Sequence, residues 1–528
     1  MKYAAVVAIV ALSPLAFAGG GKPEADDLPG PQPEVAAELS KGAKLELPAI
    51  PAFELPAMEP GFHTPRELRV HGKPVLGTEI KVKGYITWIY DCAAQVASAN
   101  PQATRAQIQV AIASDPTLCE RPKFYLGDAK ATSRDASIWV VDVPRPPTKQ
   151  ERDRLSKDEL KAWPAVPRLA VGDRVVVTGT WGIQSPHNEH NTEGLLIYRG
   201  LAPAGPASAA VPPQPPPPID PEVAVVTRPP PRMPVADRTR VSSISHLTTC
   251  TKAFAARQYD AAIPECETAT KIWDGNHLAW YTWASSHMAR GEWPQARDAV
   301  EHAVKLRPDQ GMYQLYHGIS LYEAELQQAR EDQARKENRK PAEVAINPAL
   351  LKLDAAREAL VRAAKLAPEL WRAHYYLGRV YRDRDDARHA AEQFEQTIRT
   401  HPSYRFGYVA LIELYRRWDY VDQALAVALA GTANVPAAEA SELWFEVGMA
   451  YDARHADDKA IEAFGKAIAA SPGDAGSKFQ RGQIYFRKGD FAAARADLEA
   501  VVASSDPRIA GTKPVARQLL GQIAGKKR

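Results

Sequence analysis

The 528-residue sequence predicts a multidomain protein: a small β-barrel of order βββαββ followed by an all-α superhelix of repeated hairpins. Three observations predict it. Residues 63–201 hold short runs that alternate apolar and polar and are rich in β-branched and aromatic residues. From residue 243 apolar and small residues recur every 34 positions. The 44 prolines are clustered, and the densest cluster separates the two regions.

The first eighteen residues, MKYAAVVAIVALSPLAFA, read as a cleaved export signal. Lys2 gives the positive start, and Ala16-Phe17-Ala18 fits the small-x-small cleavage rule. The apolar run is short and broken by Ser13-Pro14, which argues against a membrane anchor. The mature chain is expected in a periplasmic or extracellular space. There, four cysteines in local pairs, Cys92 with Cys119 and Cys250 with Cys266, suggest two disulfides. With 66 basic against 63 acidic residues, the chain has no general attraction for nucleic acid or membrane.

Residues 19–62 are rich in Gly, Pro and Ala without periodicity and are expected to be a disordered tether. In the β-rich domain TEIKVKGYITWIY, KFYLGD and SIWVVDV are strands, with Gly84 placed for a bulge. TKQERDRLSKDELKAW reads as one polar helix, and DRVVVTGTWG and EGLLIYRG complete the set. This order, with a glycine-bent first strand and VGDRVVVTGTW as the fourth, resembles an OB-fold barrel. The insertion PQATRAQIQVAIASDP departs from a minimal barrel and has Cys92 and Cys119 at its ends. Residues 202–240 form a proline-rich linker, with 13 prolines in 202–235. In polyproline II form it would span about 100 Å, so it is expected to be a spacer; a PxxP ligand is the other reading.

The strongest repeat runs from Ser441 to Asp474, with Trp444, Val447-Gly448, Tyr451, Ala460, Phe464, Ala467 and Pro472. It resembles the tetratricopeptide pattern W-x2-L-G-x2-Y…A-x3-F…P. Other copies start at His277, Gly311, Trp371, Arg405 and Ala475, and a first at residue 243, making about seven plus a closing helix within 241–528. The copy at Gly311 is 26 residues longer than the period, with EAELQQAREDQARKENRK expected as a charged extension of its first helix, either a solvated spur or a partner contact. In the first copy Cys250 stands at the pattern's glycine and Cys266 at its phenylalanine, positions that face each other across a hairpin. Pro264 is a misfit there and could shift the start of the second helix.

No GxSxG, phosphate loop, HExxH or CxxC is present, so the chain is expected to be non-enzymatic and to need no cofactor or metal. His187, Asn188 and His190 lie in the loop between the last two barrel strands, where an OB-fold often binds ligand; a polar surface loop is the plainer reading. Tyr85, Trp88, Tyr90, Tyr125 and Trp139 could stack on a sugar or base, although alternation puts about half of them in the core.

The tetratricopeptide resemblance implies a concave groove, lined by first helices, that holds a partner peptide or helix. Carried onto this chain, its residues include Tyr316, Tyr322, Tyr375, Tyr376, Arg379, Arg382, Arg416 and Arg417. Such a patch suits an acidic or carboxylate-ended segment; otherwise the arginines are a solvated face balanced by neighbouring Asp and Glu. The implied function is an exported protein-interaction scaffold. The alternative is a carbohydrate- or nucleic-acid-binding barrel with the repeats as attachment.

Overall fold

The computed structural model describes residues 45–55, 59–99, 103–115, 118–134, 136–187, 189–205, 220–230, 235–344 and 346–525. The expected leader, the tether as far as residue 44, Asn188 and the linker residues 206–219 and 231–234 lie outside the described residues. Among the described residues the chain divides into two compact units: 53–205 with 415–525, and 45–52 with 220–414.

The β-rich part opens with helix α1 (Pro65–His71), started by a capping box in which Thr64 and Glu67 each satisfy the other's backbone N–H. Strand β1 (Glu79–Ile89) follows. Helices α2 (Cys92–Ala99) and α3 (Arg105–Ser114) form the insertion, and the Cα atoms of Cys92 and Cys119 are 5.3 Å apart at its base. Then come β2 (Phe124–Gly127), β3 (Ile138–Val141), α4 (Lys149–Arg154), α5 (Lys157–Lys161), β4 (Arg174–Gln184) and β5 (His190–Pro203). The strands join in the order β1-β2-β3-β5-β4, and β4 pairs antiparallel with β1 to close the ring. Strands β3 and β5 run parallel, and the other strand pairs run antiparallel. Val82, Ile86, Phe124, Leu126, Val140, Val177, Trp181 and Leu196 fill the interior, with Leu68 of α1 packed among them.

Two local expectations are corrected. The single polar helix over 148–163 is two short helices, because Thr148 and Ser156 each head a capping box and Leu155 between them is extended. The irregularity in β1 lies between Ile86 and Trp88 rather than at Gly84, which pairs regularly with Val175. Gly84 answers a close approach instead: a Cβ there would stand 2.8 Å from the Gly127 carbonyl oxygen.

The helical part comprises, among the described residues, seven hairpins and a closing helix. They are α6 (Asp237–Ala255) with α7 (Tyr259–Ile272), α8 (His277–Ala289) with α9 (Trp293–Leu306), α10 (Gly311–Glu337) with α11 (Asp354–Leu366), and α12 (Trp371–Asp383) with α13 (Ala387–Thr400). After them come α14 (Arg405–Arg417) with α15 (Val421–Asn434), α16 (Ser441–Ala453) with α17 (Asp457–Ala470), α18 (Ala475–Lys488) with α19 (Phe491–Ala503), and α20 (Lys513–Gly525). Six first helices begin where the 34-residue pattern places them; α6 begins at Asp237, six residues ahead of the expected start. Ala296, Ala299 and Ala303 of α9 are buried, which lets α8 approach closely, and Pro294 sits in the first turn, where its missing N–H costs nothing. The turn inside most hairpins carries one left-handed residue: Arg257, Gly291, Asp385, Asp419, His455 and Gly489. Helix α7 starts ahead of Pro264 and runs through it.

The extension of α10 is not a solvated spur. Ala324, Leu326 and Ala334 on it are buried, and the chain after it returns over it, with Val344 buried and Lys352 donating its backbone N–H to Glu325. Asn338, left-handed, ends the helix.

Cys250 and Cys266 are bonded across the first hairpin, Cα atoms 5.3 Å apart and both fully buried. Closing a loop of this size stabilises by about 3 kcal/mol in the chain-entropy account. Replacing both cysteines by serine is therefore expected to raise amide exchange throughout α6 and α7 while leaving α16–α19 unchanged. Unaltered exchange in α6 and α7 would show that the bond is not a staple.

Within the unit holding the β-rich part, that part packs directly on the α14–α15 turn. Arg66 donates to the Trp418 carbonyl at 2.7 Å, Arg69 to the Asp419 carboxylate at 2.6 Å, and Arg417 to the Arg69 carbonyl at 2.7 Å. Phe53, expected in a tether, lies edge-on to Trp418 and Tyr420 at 5.2 and 5.5 Å, and Glu59 pairs with Lys83 and Arg174. The expectation of a β domain held apart from all the repeats by a stiff spacer is thus corrected. Aromatic burial and paired charges seat it on one of them.

Candidate functional site

Helices α10 and α12 bring together most of the expected groove residues. Tyr375, Arg379 and Arg382 follow one another at helical spacing on α12, so they share a face. The Arg379 guanidinium lies 4.7 Å from the ring centre of Tyr322, 5.0 Å from that of Tyr376 and 6.0 Å from that of Tyr375. It also donates to Glu323 at 3.0 Å. Tyr322 donates its hydroxyl to Asp383 at 2.6 Å, and the other oxygen of Asp383 accepts from Arg382 at 3.1 Å. Burial pushes the Tyr322 phenol well above its ordinary range, and Asp383 holds Arg382 more firmly charged than usual.

Exposure divides this set. Tyr316 and Tyr322 are core residues, Tyr316 packing on Tyr281 with ring centres 4.8 Å apart. Tyr375, Tyr376, Arg379 and Arg382 are half-buried. Arg416 and Arg417 belong to the other compact unit. There Arg416 is paired with Glu446 at 2.8 Å, and Arg417 is spent on the Arg69 carbonyl. Glu323 and Asp383 complete the charge balance and were not singled out by the sequence; their signal is position, each adjoining a groove residue on its own helix.

In the β-rich part, His187 shares a hydrogen bond of 2.6 Å between its Nδ1 and Asp142, a left-handed residue just after β3. His190 opens β5 and pairs with Gln184 in the ladder, apart from that bond. Among the described residues no three His, Cys, Asp or Glu gather as a metal-holding group. Of the aromatic candidates Tyr125 is buried, while Tyr85, Trp88, Tyr90 and Trp139 are half-exposed. The Arg134 guanidinium covers Trp88 and Tyr125 at 4.5 and 4.8 Å and donates to the Tyr125 hydroxyl. Lys123 stands 6.0 Å from the rings of Tyr90 and Trp139.

Two family descriptions, both "Tetratricopeptide repeat", match the chain, one over residues 281–337 and 349–405 and the other over 475–506. These segments are tetratricopeptide repeats. No curated protein sequence matches the chain. Among solved structures, the chain is similar to the C-terminal part of a repeat protein from Cytophaga hutchinsonii, with 14% identity, 52% of this chain and 99% of that one covered, and a TM-score of 0.39. It is also similar to PilF of Pseudomonas aeruginosa (14% identity, 48% and 100% covered, TM-score 0.34) and to MamA (19% identity, 37% and 91% covered, TM-score 0.30). Among the described residues no helix is long and apolar enough to cross a membrane.

Proposed function

We propose that this protein is an exported, non-enzymatic scaffold whose repeats bind an extended segment of a partner protein on the first helices α10 and α12. Tetratricopeptide repeats in general mediate protein–protein contacts. The observation that carries the reading is the Arg379 cage, a guanidinium packed among three tyrosine rings and anchored by a hydrogen bond to Glu323. Arginine and tyrosine held in place by packing bind a partner group with little ordering cost. Glu323 and Asp383 offset the two arginines, so the cage favours a segment that presents one carboxylate among neutral groups over a run of acids.

Export is supported by two local disulfides, which persist in oxidising compartments. We read the closed five-stranded ring as OB-like. The carbohydrate or nucleobase reading of that ring has less support, because Arg134 already covers the faces of Trp88 and Tyr125.

Replacing Arg379 and Arg382 by glutamine in the full chain is expected to lower recovery of the partner in a pull-down at least ten-fold, with the circular dichroism spectrum unchanged. Equal recovery by wild type and variant would dismiss the cage as the binding site.

A further inference from the structure

Residues 220–224, within the proline-rich linker, are not free chain. They lie without helix or strand along α11 and the end of α12, in the same compact unit. Asp220 is gripped by Arg384 through two hydrogen bonds of 2.9 and 3.1 Å, and Arg357 Nε stands 3.5 Å from the same carboxylate. The Arg357 side chain is only 4% exposed, and its Nε has no hydrogen-bond partner among the described residues. Further along, Lys365 donates to the Val223 carbonyl at 3.1 Å and Arg362 to the Ala224 carbonyl at 3.3 Å. The Val223 side chain is buried.

We propose that Arg357, Arg362, Lys365 and Arg384 form a second peptide site, for an extended acidic segment, which the chain fills in cis with residues 220–224. The chemistry of the contacts points to this. A buried guanidinium is costly unless a carboxylate meets it, so Arg357, which also bonds the Tyr381 hydroxyl, calls for an acid at one fixed point. The partly exposed Arg384, 3.4 Å from Asp354 as well, orients that acid through two hydrogen bonds. Two of the remaining contacts are made to backbone carbonyls, which any extended peptide offers, and another is one small apolar anchor. The site therefore asks for an acidic residue followed three positions later by a residue such as valine; the exposed Glu222 carboxylate, 3.9 Å from Lys365, adds a second, weaker acidic contact.

The site is distinct from the Arg379 cage. Arg357, Arg362 and Lys365 lie on α11, the second helix of its hairpin, and Arg384 just beyond α12. Tethering keeps the cis segment at an effective concentration on the order of millimolar, so a weak segment in trans is excluded and a strong one displaces it. A partner that carries such a segment thereby releases the linker from the repeats.

The test uses the full chain and a labelled peptide copying residues 220–227, DPEVAVVT, followed by fluorescence polarisation. Asp220→Lys removes the cis clamp and is expected to bind the peptide at least ten-fold more tightly than wild type. Adding Arg384→Glu to that variant is expected to abolish the gain. The double variant Asp220→Asn with Val223→Ser frees the site without adding a charge, and must show the same gain if Asp220→Lys perturbs folding. Equal binding to wild type and to the folded freed variants, or no binding to any of them, overturns the proposal. Arg379→Gln is expected to leave this peptide's affinity unchanged, so failure here and failure of the groove reading are separate results.

Discussion

Replacing Phe464 by alanine is expected to lower the stability of the α16–α17 hairpin and the helix after it by about 3–5 kcal/mol. The ring is fully buried, 5.7 Å from the ring of Phe445, and it shares a core with Ile484 of the next hairpin. Opposite it stands Gly448, where a Cβ would lie 2.6 Å from the ring. Glycine has no side chain to swing into the vacated space, so the cavity persists and the full cost is felt. Gly448→Ala alone fails for the opposite reason, forcing the ring aside at about 1–3 kcal/mol. Since both changes act on one volume, Gly448→Ala with Phe464→Leu should lose less than the two singly. Each hairpin couples mainly to its neighbours, so amide exchange should rise in α16–α18 and stay unchanged in α6–α9. Strict additivity, or a loss below 1 kcal/mol, would contradict this account.

The same geometry explains why the helical region was legible in the sequence. A Cβ on Gly318 would meet Leu360 at 2.5 Å, and one on Gly378 would meet Phe394 at 2.6 Å. A residue without a side chain on each first helix thus recurs against a large one on the second, at a fixed distance along the chain. Cys250 and Cys266 occupy this same pair of positions, which is why their bond could be inferred from the pattern alone. The β-rich part was legible as strands because alternation marks the buried face.

The packing of that part was not legible. Arg69 and Asp419 are 350 residues apart, and Asp220 and Arg384 are 164 apart. No periodicity links them, and each arginine taken singly looks like any solvated surface charge. Composition misled as well: the proline-rich stretch read as a spacer, although two of its residues, Asp220 and Val223, meet fitted partners. In the groove the tyrosines and arginines were visible as a cluster. Their division into core and half-buried residues depends on helix rotation, which sequence spacing fixes only coarsely.

In the β-rich part, Gly194→Ala is expected to cost about 2–6 kcal/mol. The backbone there is left of the usual region, at φ +109°, which a side chain adopts at about 1–3 kcal/mol of strain. The added Cβ would also stand 2.0 Å from Trp181 Cζ2, and forcing that indole aside adds about 1–3 kcal/mol. Trp181 is almost wholly buried and shares its core with Leu68 of α1, whose neighbours Arg66 and Arg69 hold the α14–α15 turn. A displaced indole therefore loosens the seat of α1 as well as the ring interior. Gly200→Ala on the same strand is the control, since nothing lies within 4 Å of a Cβ there. The tryptophan region of the near-ultraviolet circular dichroism spectrum should change in the first variant and not in the second. Exchange at residues 66–71 and 418–420 should rise in the first variant alone; an equal response in both would mean that Trp181 does not couple the ring to the repeats.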